Sequence, residues 1–302
     1  MGQVRGTGKR VWVRRLALAV VLLGGWLASG SQARAVPGVR HVIVVSVDGL
    51  RPDVLRAAAA PNVAALMGVG SWTLSARTVN PSVTLPAHCS MLSGVTPQVH
   101  GVTRNDWSPG DGALGVSTAF SIARQYGLVC AAFVSKPKLR ALAPQGVCDV
   151  FEVVPSDARA VAARAAAYIE RRRPNLCFVH LSDVDSAGHS AGWGSAAQVA
   201  ACGQCDAAIG LLLGAAHRAQ IATESVMIVT SDHGGHGRGH GATSVADVTI
   251  PWVCAGRGVA VRYAIPTPVS VCDTAAVALF GLGIARPADW TGRVVPGLFP
   301  GY

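Results

Sequence analysis

Three short clusters of aspartate and histidine could together bind divalent cations. Asp48 precedes Gly49, Asp183 and Asp185 lie close to His189, and Ser231-Asp232-His233-Gly234 forms the third group. A single aspartate after a strand is ordinarily a turn or helix cap. Three such clusters, in a chain with 16 acidic residues and 9 histidines, point to a shared purpose. Carboxylate and neutral imidazole are suitable ligands for zinc and similar ions. The spacing Asp185-x-x-x-His189 puts both side chains on one face of a helix. Gly234-Gly235 lets the backbone turn sharply enough for Asp232 and His233 to ligate together. The glycine-dense stretch Gly234–Gly241 offers His236 and His240 as further ligands, with a flexible surface loop as the alternative.

A fourth segment, Asn80–Gly101, holds Thr84 between Pro81 and Pro86. A threonine at a helix start is ordinarily a cap. The same position presents its oxygen beside free N–H groups and positive dipole, where a phosphoryl group would bind. A nearby metal would make the hydroxyl a nucleophile.

Positioning these groups requires strands that end beside one another. His41–Val47 is a continuous β-branched run, as expected of a strand buried on both faces. Further strands are predicted at Leu128–Val134, Leu176–Leu181 and Val226–Thr230. Helices are predicted at Asp53–Met67, Ala158–Arg172, Ala197–Ala216 and Asp273–Leu282. Alternating strands and helices give an α/β fold, one domain with a mainly parallel central sheet and helices on both faces. In such sheets the site lies outside the carboxyl ends of the strands, which is where the clusters fall.

Composition narrows the function. The chain has 302 residues, 50% hydrophobic, and a formal net charge of +10. Residues 1–35 hold six basic and no acidic residues, leaving the rest at only +4. No nucleic-acid-binding surface is therefore expected. Residues 1–35 read as an export signal: a basic start, an apolar stretch Leu16–Leu27, and Ala33-Arg34-Ala35 as the cleavage site. That stretch is shorter than the roughly 20 residues of a membrane span, so no stable span is expected after cleavage. The expected product is an exported catalytic domain of residues 36–302. Its eight cysteines predict disulfides, with Cys130/Cys148, Cys202/Cys205 and Cys254/Cys272 as the near neighbours.

Five motifs now stand in order: Val47-Asp48-Gly49-Leu50-Arg51-Pro52-Asp53, Pro81-Ser82-Val83-Thr84-Leu85-Pro86-Ala87-His88, His100-Gly101 with Asn105, Asp185 with Gly188-His189, and Ser231-Asp232-His233-Gly234. Together they resemble the alkaline phosphatase superfamily, in its type I phosphodiesterase/nucleotide pyrophosphatase branch. The resemblance implies a two-metal site, zinc by custom, with Mn2+ or Fe accepted by the same ligands. It implies one ion on Asp185, His189 and His240, and another on Asp48, Asp232, His233 and Thr84. Thr84 would be the nucleophile, forming a phospho-threonine, and Asn105 would donate to a phosphoryl oxygen. His240 is preferred to His236 because the family places a His-Gly pair there. Thr84-Leu85-Pro86-Ala87-His88 lacks the modified Cys or Ser motif of sulfatases.

Substrate is suggested by Ser135-Lys136-Pro137-Lys138, similar to lysine-containing segments of phosphonoacetate hydrolases and some phosphate monoesterases. Lys136 and Lys138 are thereby candidate substrate-binding residues, for a small phosphate ester or a phosphonate; a basic solvated loop is the plain alternative. His88 and His100 read as structural. The expected function is an exported phosphoric-ester hydrolase (phosphodiesterase or phosphatase). The alternatives are a C–P hydrolase or a non-catalytic metal- or phosphate-binding protein.

Overall fold

The computed structural model describes residues 1–3, 36–112 and 114–301. The export-signal reading therefore lies outside the described residues, and the architecture is that of the unit Gln32–Tyr302.

His41–Val47 forms strand β1, buried at every position. It is followed by α1 (Pro52–Ala57), α2 (Pro61–Val69) and β2 (Ser71–Arg77). Helices α3 (Thr84–Ser93), α4 (Pro97–His100) and α5 (Ala119–Gln125) lead to β3 (Cys130–Val134) and β4 (Val150–Val153). Then come α6 (Ala158–Arg172), β5 (Leu176–Leu181), α7 (Asp183–Ala191), α8 (Ala196–Arg218) and β6 (Ser225–Thr230). The chain closes with α9 (Val245–Val248), β7 (Thr249–Gly256), β8 (Tyr263–Ala264) and α10 (Asp273–Gly281). The helix expected over Asp53–Met67 is two helices, because Pro61 begins a new one after an irregular Ala58–Ala60.

The strands make one eight-stranded sheet in the order β4-β3-β5-β1-β6-β7-β2-β8. Strand β1 lies between β5 and β6, parallel to both, with Val45 opposite Val179 on one side and Val229 on the other. Strands β3 and β4 continue the parallel arrangement, and β7 runs antiparallel to its neighbours β6 and β2. Alternate residues feed two cores. Val42, Val44 and Phe178 meet α3, α5 and α10 on one face. Ile43, Val45 and Val179 meet α1, α6 and α8 on the other. Because β1, β3, β5 and β6 are parallel, the loops after all four open on one edge.

Helix α8 is long and apolar enough to cross a membrane. It is instead packed into the core through Cys205, Ile209 and Leu212. The buried Asp206 on it caps α2, accepting from the N–H of Asn62 at 3.1 Å and of Val63 at 2.8 Å.

The cysteines correct the disulfide expectation: all eight are free thiols, seven of them buried. Cys202 and Cys205 face the same core from α8, while Cys130, Cys254 and Cys272 line the other. They act as small hydrophobes, and burial pushes the Cys89, Cys177 and Cys202 thiols up to about 12.

Candidate active site

Three loops at the carboxyl edge are tied together before any chemistry is considered. Gly49 has φ +75°, and a Cβ there would lie 3.0 Å from Cα and Cβ of Asp185. Glycine thus permits both the turn and the close approach to α7. The Gly49 N–H donates to Asp232 Oδ1 at 3.1 Å, and the Leu50 N–H to Ser231 Oγ at 2.9 Å. Asp48, Asp185 and Asp232 are all buried.

Among the described residues, each of these aspartates keeps one oxygen without a hydrogen bond: Asp48 Oδ1, Asp185 Oδ1 and Asp232 Oδ2. All three face imidazole nitrogens. Asp185 Oδ1 lies 3.4 Å from His189 Nε2, one helical turn along α7, and 3.6 Å from His240 Nε2. His233 Nε2 lies 3.3 Å from both Asp48 Oδ1 and Asp232 Oδ2. The opposite nitrogens of the three rings face backbone carbonyls: His189 Nδ1 at Arg238, His233 Nδ1 at Gly234 and His240 Nδ1 at Ser82. A carbonyl can only accept, so Nδ1 carries a proton in each ring, and in the neutral form Nε2 turns its lone pair inward. That is the tautomer of a metal-ligating histidine.

Unpaired buried carboxylate oxygens are costly unless a cation meets them. Two groups of donors can hold a metal, Asp185/His189/His240 and Asp48/Asp185/His233, the atoms of each lying within 4.8 Å of one another. Asp232 Oδ2 borders the second. The residues present therefore fit a two-ion centre. The charges respond accordingly. Burial and then the Asp48 charge raise Asp232 and Asp185 above the usual carboxylate range. Burial would also raise Asp48, but the Lys136 charge, the hydrogen bond from His180 and the nearby His233 ring hold it well below. Burial opposes a proton on His233, yet Asp232 and Asp48 override it and lift the ring to about 9.

Thr84 is the first residue of α3, just after the N-cap Val83. Its Oγ1 lies 3.5 Å from His233 Nε2 and 3.3 Å from Lys136 Nζ. Asn105 Oδ1 accepts from the Leu85 N–H at 2.9 Å, which leaves its NH2 group as a donor beside the start of α3. Lys136 ends the loop after β3, and its ammonium contacts Asp48 Oδ2 and Asp185 Oδ2, each at 2.7 Å. Lys138 reaches the Asn105 carbonyl at 2.9 Å. His236 stands apart, half-exposed, with Nδ1 2.6 Å from Asp247 Oδ1. It anchors the glycine-rich loop, which is pinned rather than free: Gly234 and Gly235 donate to the Asp247 and Ala246 carbonyls.

Three further residues brace the site. His180, inside β5, donates from Nε2 to Asp48 Oδ2 at 2.8 Å while Ser135 Oγ meets its Nδ1 at 2.9 Å. His88, expected to be structural, donates to the Thr84 carbonyl at 2.7 Å and sits 3.4 Å from Asp232 Oδ2; burial depresses it to about 4. Trp193 donates to the Gly49 carbonyl at 2.9 Å, and its ring stands 5.1 Å from that of His189 and 5.7 Å from that of His240. Sequence reasoning misses His180 and Trp193. A histidine in an otherwise apolar strand is the only signal for the first, and nothing marks the second.

Comparisons with known proteins bear on the fold and the family. Human ectonucleotide pyrophosphatase/phosphodiesterase family member 1 is 24% identical over 223 residues, 64% of this chain and 23% of the relative. The chain spans about a quarter of the length of the curated relatives it matches. Murine ectonucleotide pyrophosphatase/phosphodiesterase 5, an inactive form in complex with AMP, superposes with TM-score 0.69 at 15% identity, covering 82% of this chain and 96% of that one. A 2-O GAG sulfatase superposes with TM-score 0.70 at 15% identity, covering 86% and 74%. At such identities the structural likenesses establish the fold, an alkaline-phosphatase-like α/β domain. The family model for type I phosphodiesterase / nucleotide pyrophosphatase matches residues 42–237, more than half of the chain, and the protein belongs to that family.

Proposed function

We propose that the protein is a two-metal phosphoric-ester hydrolase whose nucleophile is Thr84. The observation that carries the reading is the convergence of three unpaired carboxylate oxygens with three inward-facing Nε2 atoms, one of which lies 3.5 Å from the Thr84 hydroxyl. Asp185, His189 and His240 would hold one divalent ion. Asp48, Asp232, His233 and Thr84 would hold the other, with Zn2+ favoured and Mn2+ or Fe acceptable to the same donors. Bound there, the ions supply positive charge to the phosphoryl oxygens and lower the proton affinity of the coordinated hydroxyl.

The protein's own groups orient the rest. Thr84 Oγ1 attacks phosphorus in line, the bond to the leaving oxygen breaks, and water then hydrolyses the phospho-threonine. The Asn105 NH2, unpaired among the described residues, donates to a non-bridging oxygen. Lys136 Nζ, 3.3 Å from Thr84 Oγ1, stabilises that oxygen as it loses its proton. His189, with a side chain 47% exposed, marks the side from which substrate enters. Family membership and the AMP held by the murine neighbour favour a nucleotide-like ester as the first substrate class to try.

The test is hydrolysis of paired aryl phosphate monoester and diester substrates, with bound metal measured alongside. Thr84→Ala is expected to lower turnover by about a thousandfold or more while metal stays bound. Turnover unchanged in that variant would remove Thr84 as nucleophile.

A further inference from the structure

Lys136 does more in this structure than a substrate-facing lysine would. Its ammonium sits between the two ligand groups, 2.7 Å from Asp48 Oδ2 and 2.7 Å from Asp185 Oδ2. These are the outer oxygens; the inner ones, Asp48 Oδ1 and Asp185 Oδ1, are the unpaired atoms that face the imidazoles. The position is built. Ser135 bonds to His180, His180 bonds to the same Asp48 Oδ2, and Pro137 begins a short 3-10 segment whose Leu139 N–H returns to the Lys136 carbonyl. Only 21% of the Lys136 side chain is exposed.

We infer that Lys136 is a resident cation of this centre, competing in charge but not in ligand atoms with the divalent ions, so that the second ion is held much more loosely than the first. Three carboxylates bring three negative charges, and Lys136 offsets one of them. One divalent ion then neutralises the group, and a second must enter with no net negative charge left to attract it, close to both the first ion and the ammonium in a buried setting, where like charges repel strongly. The lysine also occupies the outer oxygens, so each aspartate would offer its inner oxygen to an ion. The consequence is regulatory: occupancy of the second position, and with it activity, tracks the free divalent ion concentration. The inference rests on the metal-centre reading above.

The test counts metal rather than turnover. Full-length protein saturated with Zn2+ is dialysed against graded chelator, and ions per chain are measured by plasma mass spectrometry. The unsubstituted protein should fall from two ions to one early and lose the other late. Lys136→Met, which keeps the aliphatic reach without the charge, should retain the second ion to chelator strengths about tenfold or more higher. Lys136→Arg, which keeps the charge, should behave like the unsubstituted protein. Equal or earlier loss in Lys136→Met overturns the inference alone, as does Lys136→Arg behaving like Lys136→Met. Failure of every form to bind Zn2+ overturns the metal centre and the inference together.

Discussion

Substitution of Gly235 by alanine tests whether Trp193 positions one metal subsite. An added Cβ would lie 2.3, 2.6 and 2.8 Å from Cε2, Cδ2 and Cζ2 of the Trp193 indole. Ordinary carbon contacts are about 3.5–4.0 Å, so the indole must retreat by roughly an ångström. It cannot do so freely, because its Nε1–H is held by the Gly49 carbonyl and its ring is packed on His189 and His240. Overpacking of this kind costs about 1–3 kcal/mol of stability. The larger effect falls on the Asp185–His189–His240 group, where disturbing the support of a ligand lowers metal affinity by roughly 10- to 100-fold. Asp48 and Asp232 meet the indole only through the Gly49 turn, and His233 only through His240, so the ion of the Asp185–His189–His240 group should be weakened more than the other. Calorimetric titration with Zn2+, paired with thermal unfolding, reads both effects. Gly239→Ala is the control, since among the described residues nothing lies within 4 Å of a Cβ there. Two ions bound with unchanged affinity in Gly235→Ala would refute the role given to Trp193.

Two further predictions concern stability. Asp206→Ala removes the acceptor of the Asn62 and Val63 N–H groups and should cost about 2–4 kcal/mol in urea unfolding, with Zn2+ binding preserved; an unchanged midpoint would show that α2 needs no such cap. His100, buried against Ser90, has its pKa lowered by burial to about 4, against about 6.5 in an unfolded chain. The unfolded state therefore takes up the proton first as pH falls. The contribution of His100 is complete above about pH 6.5 and is lost as pH falls through about 4, amounting to roughly 3 kcal/mol. His100→Gln should flatten the stability profile between those values, and a slope identical to that of the unsubstituted protein would contradict it.

The central strands are legible because each is a continuous apolar run, and Ala158–Arg172 because its alanines carry no competing strand signal. Strands β2 (SWTLSAR) and β7 (TIPWVCAG) are harder to see, one interrupted by polar residues and the other by Pro251. Among site residues, the Asp and His clusters announce themselves by type and by their place after strands. Lys136 is legible as a cation after a strand, but its partners Asp48 and Asp185 are 88 and 49 residues away, and only the sheet order brings them within reach. His180 carries no spacing signal at all. The cysteine count misleads because an even number says nothing of whether the thiols face one another or fill two separate cores.

The place of β1 at the middle of the sheet also governs when the protein can fold. Its two neighbours are β5 and β6, so the first strand made is flanked by strands made long afterwards. Thr230, the partner of Ser46, leaves the ribosome about 190 residues after β1 begins. At synthesis rates of about 5–20 residues per second, that is an interval of roughly 10–40 s. Until β5 emerges the run HVIVVSV has neither native neighbour, and until β6 emerges one of its edges stays open; an uncharged, β-prone segment in that state is the kind that nucleates intermolecular strand pairing. Dependence on a holding chaperone during synthesis is thus a direct consequence of strand order, and yield should respond to chaperone supply more than to changes at the site.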